Sequence, residues 1–357
     1  MFKIADVYKT GSVCGFAWNR QGDKLAVENT KDTKAEGRPW GKNFDAFADV
    51  LEVRKGKLHR VRRVDLGYPL GQGTCVAFSP DDRYLAVGKT AVELFDLQEG
   101  CGVWTVETGS VRKDDDRDAP STHSSLVFSG DGRLLSLGWQ GGMGRGTLYW
   151  GSFDPADGAY RVNQKIVSHT FQQLNMTIVA DRWSVTTETT PPGQRPQRLW
   201  IAVRDLADGA EVSRLELTST RMKATGISSA LSPDGRYLAV GGKSKNREDA
   251  YKPYLLQIWD VKEQRLLHEY MQDGKEPLPP GGIIQSLDFS PDGRWLLMEH
   301  MQINERDPDV HLFDVESGER LWSSDRKIGS GDCRFSPSGE MFVCRGDEKI
   351  TLFTLNK

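Results

Sequence analysis

The sequence predicts an all-β fold, a seven-bladed β-propeller with four antiparallel strands in each blade. Two observations carry this prediction. A turn of the type Ser-Pro-Asp-Gly recurs between two short apolar runs, and a third apolar run that ends on an acidic residue follows most copies. A unit that repeats in this way cannot bury its apolar face alone, so neighbouring units must pack side by side. The copies lie at residues 16–25, 76–87, 126–135, 230–240, 287–297 and 333–342.

The turn between the first two runs has residues that suit a tight hairpin. Pro presets φ at the second turn position, Asp tolerates the third, and Gly takes the position with φ > 0. The flanking runs are rich in β-branched and aromatic residues, which favours strands. A third strand ends on Asp at residues 92–96, 256–260 and 310–314, and a fourth strand is predicted at 58–64 and 320–324. Four short antiparallel strands per unit are typical of a propeller blade.

An aromatic or apolar residue before the turn marks each repeat. The markers are Trp18, Phe78, Phe128, Leu231, Phe289 and Phe335. Phe128 and Leu231 are much farther apart than other neighbouring markers, so one further unit must lie between them. Residues 176–185 and 199–205 fit this unit, although its turn has lost Pro and Gly. The count is therefore seven units.

The two ends of the chain predict how the ring closes. The last unit stops after its third strand, at residues 349–355, and residues 2–8 form an apolar run without a blade of its own. Pairing the two segments would complete the last blade and remove an exposed sheet edge. No Gly/Ser-rich or Pro-rich linker interrupts the repeats. We therefore expect one domain that covers residues 1–357.

The repeats resemble those of the WD-repeat β-propeller family along the whole chain. The Ser-Pro-Asp-Gly turns and the Trp259-Asp260 dipeptide carry the resemblance, and Phe95-Asp96 and Phe313-Asp314 echo the dipeptide. The family's usual Gly-His pair before the first strand is absent, so its buried Asp-His-Ser-Trp hydrogen-bond set cannot form. The resemblance implies a non-catalytic scaffold that binds proteins. The degenerate repeats also look like those of other seven-bladed propellers, including lactonase-like enzymes.

Composition favours a soluble protein of the cytoplasm. A net charge of −3 predicts no general attraction to nucleic acid or to an anionic membrane. No apolar stretch approaches the length of a membrane-spanning helix, and the N-terminus lacks a signal pattern. Five cysteines without CxxC spacing are interpreted as small, unpaired core residues of strands, which favours a reducing compartment. These cysteines are Cys14, Cys75, Cys101, Cys333 and Cys344. We also expect a protein that is monomeric on its own.

Signals for catalysis, metals and cofactors are weak. The six histidines show no repeated ligand spacing, although His300 and His311 could approach each other across a hairpin. The acidic run 114–118 lacks the glycine and the distal glutamate of a calcium loop. The glycine-rich run 141–146 opens no helix, so we interpret it as a hairpin tip. No cofactor, metal site or catalytic residue is predicted.

The loops indicate where a partner could bind. In a four-stranded meander, the first-to-second and third-to-fourth turns share one face, and these turns are short in every unit. The other loops share the opposite face and hold nearly every insertion, with aromatic residues and arginines among them. These residue types are enriched at binding hot spots. The predicted partner-binding residues are Arg38, Trp40, Trp139, Arg145, Tyr251, Tyr254 and Arg306.

Two functional hypotheses remain open at the level of the sequence. The first is a non-catalytic scaffold or adaptor that binds a protein partner on its loop-rich face. The alternative is a lactonase- or hydrolase-like propeller enzyme with a site at the mouth of the central channel. Such a site would need side chains from several blades to converge, which sequence spacing alone does not test.

Overall fold

The computed structural model contains seven four-stranded antiparallel sheets arranged as the blades of a ring. This confirms the predicted fold class, including the degenerate fourth unit. No helix in the described residues has the length and apolar character needed to span a membrane. The structure describes residues 2–33, 43–66, 75–107, 120–142, 145–168, 177–179, 182–189, 198–206, 208–217, 228–243, 254–271, 284–300, 310–325, 328, 331–346 and 348–355.

The strands follow one another along the chain, and each blade runs from its innermost to its outermost strand. The first strand of the chain, β1 (Phe2–Lys9), belongs to the last blade. The strands of blades 1 to 3 are β2 (Ser12–Trp18), β3 (Lys24–Thr33), β4 (Asn43–Arg54), β5 (Lys57–Asp65); β6 (Cys75–Phe78), β7 (Tyr84–Gly88), β8 (Ala91–Asp96), β9 (Cys101–Glu107); and β10 (Thr122–Phe128), β11 (Leu134–Gly142), β12 (Arg145–Phe153), β13 (Tyr160–Ser168).

The remaining four blades complete the ring. Their strands are β14 (Thr177–Val179), β15 (Trp183–Thr189), β16 (Leu199–Asp205), β17 (Glu211–Glu216); β18 (Ser228–Leu231), β19 (Tyr237–Lys243), β20 (Tyr254–Asp260), β21 (Arg265–Met271); β22 (Ile284–Phe289), β23 (Trp295–His300), β24 (Val310–Asp314), β25 (Arg320–Ser323); and β26 (Cys333–Phe335), β27 (Met341–Arg345), β28 (Lys349–Leu355).

The ring closes through the first and last strands, as the sequence predicted. Strand β1 pairs antiparallel with β28, from Phe2 opposite Leu355 to Lys9 opposite Lys349. Tyr8 on β1 also donates a hydrogen bond of 2.9 Å to Asp49 of blade 1. The chain termini therefore hold blade 7 together and fasten it to blade 1.

The first-to-second turns of blades 2, 5 and 6 are held by their own side chains. In blade 6, Ser290 Oγ donates to Asp292 at 2.6 Å and accepts from the backbone N–H of Trp295 at 2.8 Å. Gly293 has φ 72°, the left-handed conformation that glycine adopts without strain. The Ser–Asp pair and the Trp–Ser bond recur in blades 2 and 5 with their own residues. The recurrent sequence thus encodes one hairpin geometry.

The Asp that ends the third strand links the two short turns of a blade. In blade 2, Asp96 accepts hydrogen bonds from the backbone N–H groups of Gln98 and Glu99 at 2.8 and 3.1 Å. Its other oxygen accepts from Arg83 of the first-to-second turn at 2.9 Å. These bonds, that of Glu99 above all, lower the pKa of Asp96. The Trp-Asp-like dipeptides therefore organise the face of the ring that carries the short turns.

The aromatic markers pack between neighbouring blades, as expected. Phe78 is buried among residues of blades 1 and 2, and Phe289 among residues of blades 5 and 6. Phe335 is buried among residues of blades 6 and 7. No blade encloses its own core, so the packing of each depends on its neighbours.

A buried ionic cluster supports the fourth blade, whose turn chemistry is degenerate. Arg204 is 3% exposed and donates to Glu188 and Thr186, each at 2.6 Å. Arg214 donates to Glu188 at 2.7 Å and to Glu211 at 2.7 Å. Buried charges are tolerated when they are paired and hydrogen-bonded in this way. The cluster joins three strands of the blade through their side chains.

Every outermost strand contains one extra residue relative to its partner. The irregularity recurs at the same place in all seven sheets. Such bulges twist an edge strand and hinder its pairing with another chain. Three of the extra residues are exposed valines: Val61, Val103 and Val212.

The cysteines differ from the prediction in two respects. Cys333 and Cys344 lie opposite each other on β26 and β27 and form a disulfide, so they are core residues but not unpaired. Cys101 is exposed, since it begins an outermost strand. Cys14 and Cys75 are buried and unpaired, as expected. Spacing alone did not reveal the cross-strand pair, because the register of the strands places the two residues together.

Candidate interaction faces and the central channel

The two faces of the ring differ in how far their hairpins extend. On the loop-rich face, the β3–β4 ladder continues to the pair Thr33–Asn43, and the β11–β12 ladder continues to Gly142–Arg145. The corresponding ladder of blade 2 ends at Gly88–Val92. On the other face, the described third-to-fourth turns are short, and that of blade 1 has only Lys55 and Gly56 between its strands. We call this second surface the short-turn face.

Six of the seven predicted partner-binding residues lie outside the described residues or have side chains that the structure does not describe. Arg38, Trp40, Tyr251 and Arg306 lie outside the described residues. Arg145 begins β12 and Tyr254 begins β20, so both stand where hairpins rise toward the loop-rich face. Their side chains are not described. The proposed role of these six residues stays a prediction.

Trp139 is the predicted partner-binding residue whose surroundings are described. Its side chain is 8% exposed and belongs to a core cluster with Leu148 and Trp150. Gly146 lies directly against the indole, and a Cβ atom at that position would overlap the ring. In this conformation Trp139 stabilises the β11–β12 hairpin and offers little surface to a partner.

The innermost strands of all seven blades line a central channel with a volume of about 990 Å³. Blades 1 to 5 contribute mainly small, apolar or hydroxyl side chains, such as Ala17, Cys75, Ser125 and Ser229. The charged side chains of the lining come from blades 6 and 7. They are Asp288, Asp332, Arg334 and Arg345.

The charges of the channel are largely paired with one another. Arg334 lies 3.1 Å from Asp332 and 3.6 Å from Asp288. Asp288 also accepts a hydrogen bond from the backbone N–H of Phe335 at 2.8 Å. Burial raises the pKa of Asp288 to about 6 despite the nearby Arg334. Arg345 donates to the carbonyls of Val13 and Cys14 at 3.5 and 3.0 Å, which ties blade 7 to blade 1.

A buried acid in blade 1 was not singled out by the sequence analysis. Glu28 is fully buried, and neither of its carboxyl oxygens has a hydrogen-bond partner. Burial raises its pKa to about 8, although Lys89 and Arg345 act in the opposite direction. The same repeat position is glycine at Gly88 and Gly241, where a Cβ would collide with the next blade. The sequence does contain a signal for this buried acid, because a glutamate stands within an apolar run where two other repeats have glycine.

The histidine pair of blade 6 approaches as the sequence suggested. The rings of His300 and His311 stack with centroids 5.1 Å apart, and His311 Nδ1 lies 2.8 Å from Ser323 Oγ. Burial lowers the pKa of His311 well below its usual value. Within the described part of the chain, no group of three or more His, Cys, Asp or Glu residues could hold a metal. The acidic run 114–118 lies outside the described residues.

Comparisons with known proteins define the class as a β-propeller. No family model matches the chain, and no curated protein matches it. Among solved structures it is similar to the β-propeller domain of Cps50 (Swd1) from Myceliophteria thermophila, with 13% identity, full coverage of both chains and a TM-score of 0.59. It is also similar to a chain of Kuenenia stuttgartiensis hydrazine synthase, with 13% identity, coverage of 98% and 97%, and a TM-score of 0.65.

A chain of the mitotic checkpoint complex has a similar fold as well. The identity is 12%, the match covers 99% of this chain and 92% of the other, and the TM-score is 0.63. These identities establish the fold alone. The resemblance of the repeats to WD-repeat propellers is consistent with this fold and with the seven blades of the structure.

Proposed function

We propose that the protein is an interaction scaffold that binds a protein partner on its loop-rich face. The observation that carries this proposal is the asymmetry of the ring. The hairpins of blades 1 and 3 extend on that face, whereas the opposite face has short turns fixed by Ser, Asp and Arg side chains. A rigid scaffold that elaborates one side commonly uses that side for recognition.

The comparisons are compatible with this role. One similar structure comes from an assembly, the mitotic checkpoint complex, and another is described as a β-propeller domain. We further propose that the partner is a protein, that the scaffold is monomeric without it, and that it acts in the cytoplasm.

The test is affinity purification from native lysate with a Trp40→Ala/Tyr251→Ala variant. Large aromatic anchors can contribute about 2 kcal/mol or more at the centre of an interface. We expect the partner to be lost while the melting curve is unchanged, because the sequence predicts both residues in insertions between strands. A Glu263→Lys/Glu316→Lys variant on the short-turn face is the control. Equal loss of the partner in both variants would place the interface elsewhere.

A catalytic site in the channel is the second candidate function. Asp288 and Arg334 place opposite charges in the channel, and one similar chain comes from hydrazine synthase. An Asp288→Asn variant distinguishes the two functions. Loss of lactone or ester turnover with retained partner capture would favour the enzyme. If Asp288→Asn captures the partner as the wild type does, and neither of the two turns over a lactone or ester, the scaffold is favoured.

A further inference from the structure

One short stretch of blade 1 has a charge unlike the rest of the molecule. Residues 54–63 contain six Lys or Arg residues and no Asp or Glu. The net charge of the chain, −3, therefore divides into +6 in this stretch and −9 in the remaining sequence. The stretch covers the third-to-fourth turn of blade 1 and most of its outermost strand, β5.

The equivalent turns of blades 2 to 6 carry no net positive charge. From the last residue of the third strand to the first of the fourth, each has at least two Asp or Glu residues. The turn of blade 5 also contains Lys262 and Arg265 and is neutral, whereas the other four are net negative. The turns are residues 96–101, 153–160, 205–211, 260–265 and 314–320. Since the repeats share their geometry, a charge reversal in one of them is not needed to form a blade. A difference confined to one repeat therefore indicates a role outside the fold.

The basic side chains of this stretch are exposed, except that of Arg62, which is half-buried. Lys55 and Lys57 flank Gly56 at the tip of the hairpin, and neither pairs with a carboxylate among the described residues. The Arg54 side chain is 60% exposed, although it pairs with Glu52 at 2.6 Å. Among the described residues, the carboxylate recorded beside the tip is that of Asp6, which accepts a hydrogen bond from the backbone N–H of Leu58 at 2.8 Å and forms no ion pair with either lysine.

The charge continues along the outer strand toward both neighbouring blades. Arg60 is 49% exposed and lies 3.9 Å from Asp49. That carboxylate is already occupied, since it accepts two bonds from Arg63 and one from Tyr8. Arg62 donates to the carbonyl of Gln98 in blade 2 at 3.5 Å and forms no ion pair with a carboxylate of the described residues. We call Arg54, Lys55, Lys57, Arg60 and Arg62 the basic edge.

We propose that the basic edge docks a short acidic segment of a protein partner. Opposite charges steer such an encounter and disfavour the wrong partners. Val61, 46% exposed at the bulge of the same strand, adds an apolar contact between Arg60 and Arg62. This surface lies on the rim beside the short-turn face, so it is separate from the loop-rich face.

The size of the basic edge favours a protein segment over nucleic acid. A duplex would extend past the patch onto neighbouring surface, where the turn of blade 2 carries the exposed Glu99 and β5 ends on the exposed Asp65. Those charges would repel phosphates, and the remaining net charge of −9 acts in the same direction. A short acidic peptide can occupy the patch without meeting them.

The probe is a fluorescent acidic peptide in which Glu and Asp surround central valines. A peptide with Gln and Asn at the acidic positions is its neutral counterpart. Anisotropy titrations should show binding of the acidic peptide alone, and the affinity should fall with added salt because exposed charges are screened. The Lys55→Glu/Lys57→Glu/Arg60→Glu variant should weaken binding at least about tenfold. A melting curve checks its fold, and the milder Lys55→Gln/Lys57→Gln variant serves if the triple variant unfolds.

The control changes the net charge equally but elsewhere. Arg161→Glu/Lys262→Glu/Arg265→Glu reverses three exposed charges on blades 3 and 5 and should leave peptide affinity within about twofold. An equal loss in both triple variants would overturn the proposal, because only overall charge would matter. The proposal would also be overturned if a DNA duplex or phosphatidylserine vesicles bound more tightly than the acidic peptide. Self-association of the wild type that the Lys55→Glu/Lys57→Glu/Arg60→Glu variant abolishes would overturn it as well. The Trp40→Ala/Tyr251→Ala variant should bind the peptide normally, which separates this proposal from the loop-face scaffold.

Discussion

Glu28 and His123 are buried ionisable residues whose neutral forms the fold prefers. Glu28 has no hydrogen-bond partner for its carboxyl oxygens, and both ring nitrogens of His123 also lack one. Burial raises the pKa of Glu28 to about 8 and lowers the pKa of His123 to about 4. The two residues therefore make the stability of the protein depend on pH in opposite directions.

Glu28→Gln should remove a loss of stability that develops as the pH rises from about 4.3 toward 8. The folded state holds a proton on Glu28 that the unfolded chain releases above about pH 4.3. This contribution to stability is complete below that pH and is lost as the pH rises toward 8, by up to about 1.4 kcal/mol per pH unit. Between pH 5 and pH 8, the free energy of unfolding measured with urea should fall less steeply for the variant than for the wild type. Exposed Glu99→Gln is the control, and parallel curves for the wild type and Glu28→Gln would contradict the assignment.

His123→Phe should protect the protein from acid. The folded state keeps His123 neutral, while the unfolded chain protonates it below about pH 6.5. Stability is therefore lost as the pH falls from 6.5 toward 4, again by up to about 1.4 kcal/mol per pH unit. Phe fits the aromatic surroundings, since Phe153 and Tyr160 lie 5.3 and 5.8 Å from the imidazole. Thermal melts from pH 7 to pH 5 test this, with exposed His59→Gln as the control.

At the scale of the strands, the seams between blades carry the stability of the ring. Phe289 is 5% exposed and packs against strands of blades 5 and 6. Phe289→Ala should cost about 3–5 kcal/mol, because burial is lost and a cavity remains. Ser290→Ala should cost less, about 1–2 kcal/mol, since it removes the hydrogen bonds of one turn. A denaturant midpoint of Phe289→Ala equal to that of the wild type would show that the seam contributes little.

The elements predicted from the sequence are those that local patterns specify. A Ser-Pro-Asp-Gly turn and its flanking apolar runs describe a hairpin without reference to the rest of the chain. The Cys333–Cys344 disulfide and the cluster around Arg204 depend instead on strand register and on side chains brought together by pairing. The burial of Trp139 had the same origin, since the contact with Gly146 forms only in the paired hairpin.

The candidate site was less predictable than the fold. Loop lengths distinguished the two faces in the sequence, but the positive charge of the basic edge stands out only against the equivalent turns of blades 2 to 6, none of which is net positive. Lys55 and Lys57 sit in a strand-turn-strand pattern like any other in the sequence. Their significance comes from the arrangement of the ring, which places this basic hairpin on the same face as turns that carry no net positive charge.

At the scale of the whole molecule, the ring is closed by one pair of strands. Without β1, strand β28 becomes the edge of blade 7, and the contact of Tyr8 with Asp49 is lost together with its link to blade 1. Phe2 is also lost from the core, where it packs against Phe342 with ring centroids 4.8 Å apart. The deletion therefore exposes the edge of blade 7, removes a contact between blades 7 and 1, and removes an aromatic side chain from the core.

Deletion of residues 2–8 should lower the melting temperature strongly and reduce the soluble yield. The exposed edge of β28 is a template for pairing with other chains, so aggregation should accompany the loss. Tyr8→Phe removes only the hydrogen bond to Asp49 and should cost about 1–3 kcal/mol. Its effect therefore measures the contact between blades 7 and 1 apart from the loss of strand β1.

If residues 1–357 form one domain, the wild type should unfold in a single calorimetric transition, and circular dichroism and fluorescence should report the same midpoint. The deletion should broaden that transition, because end blades of an open array can unfold before the others. An unchanged melting curve for the truncated protein would mean that the ring does not depend on this closure.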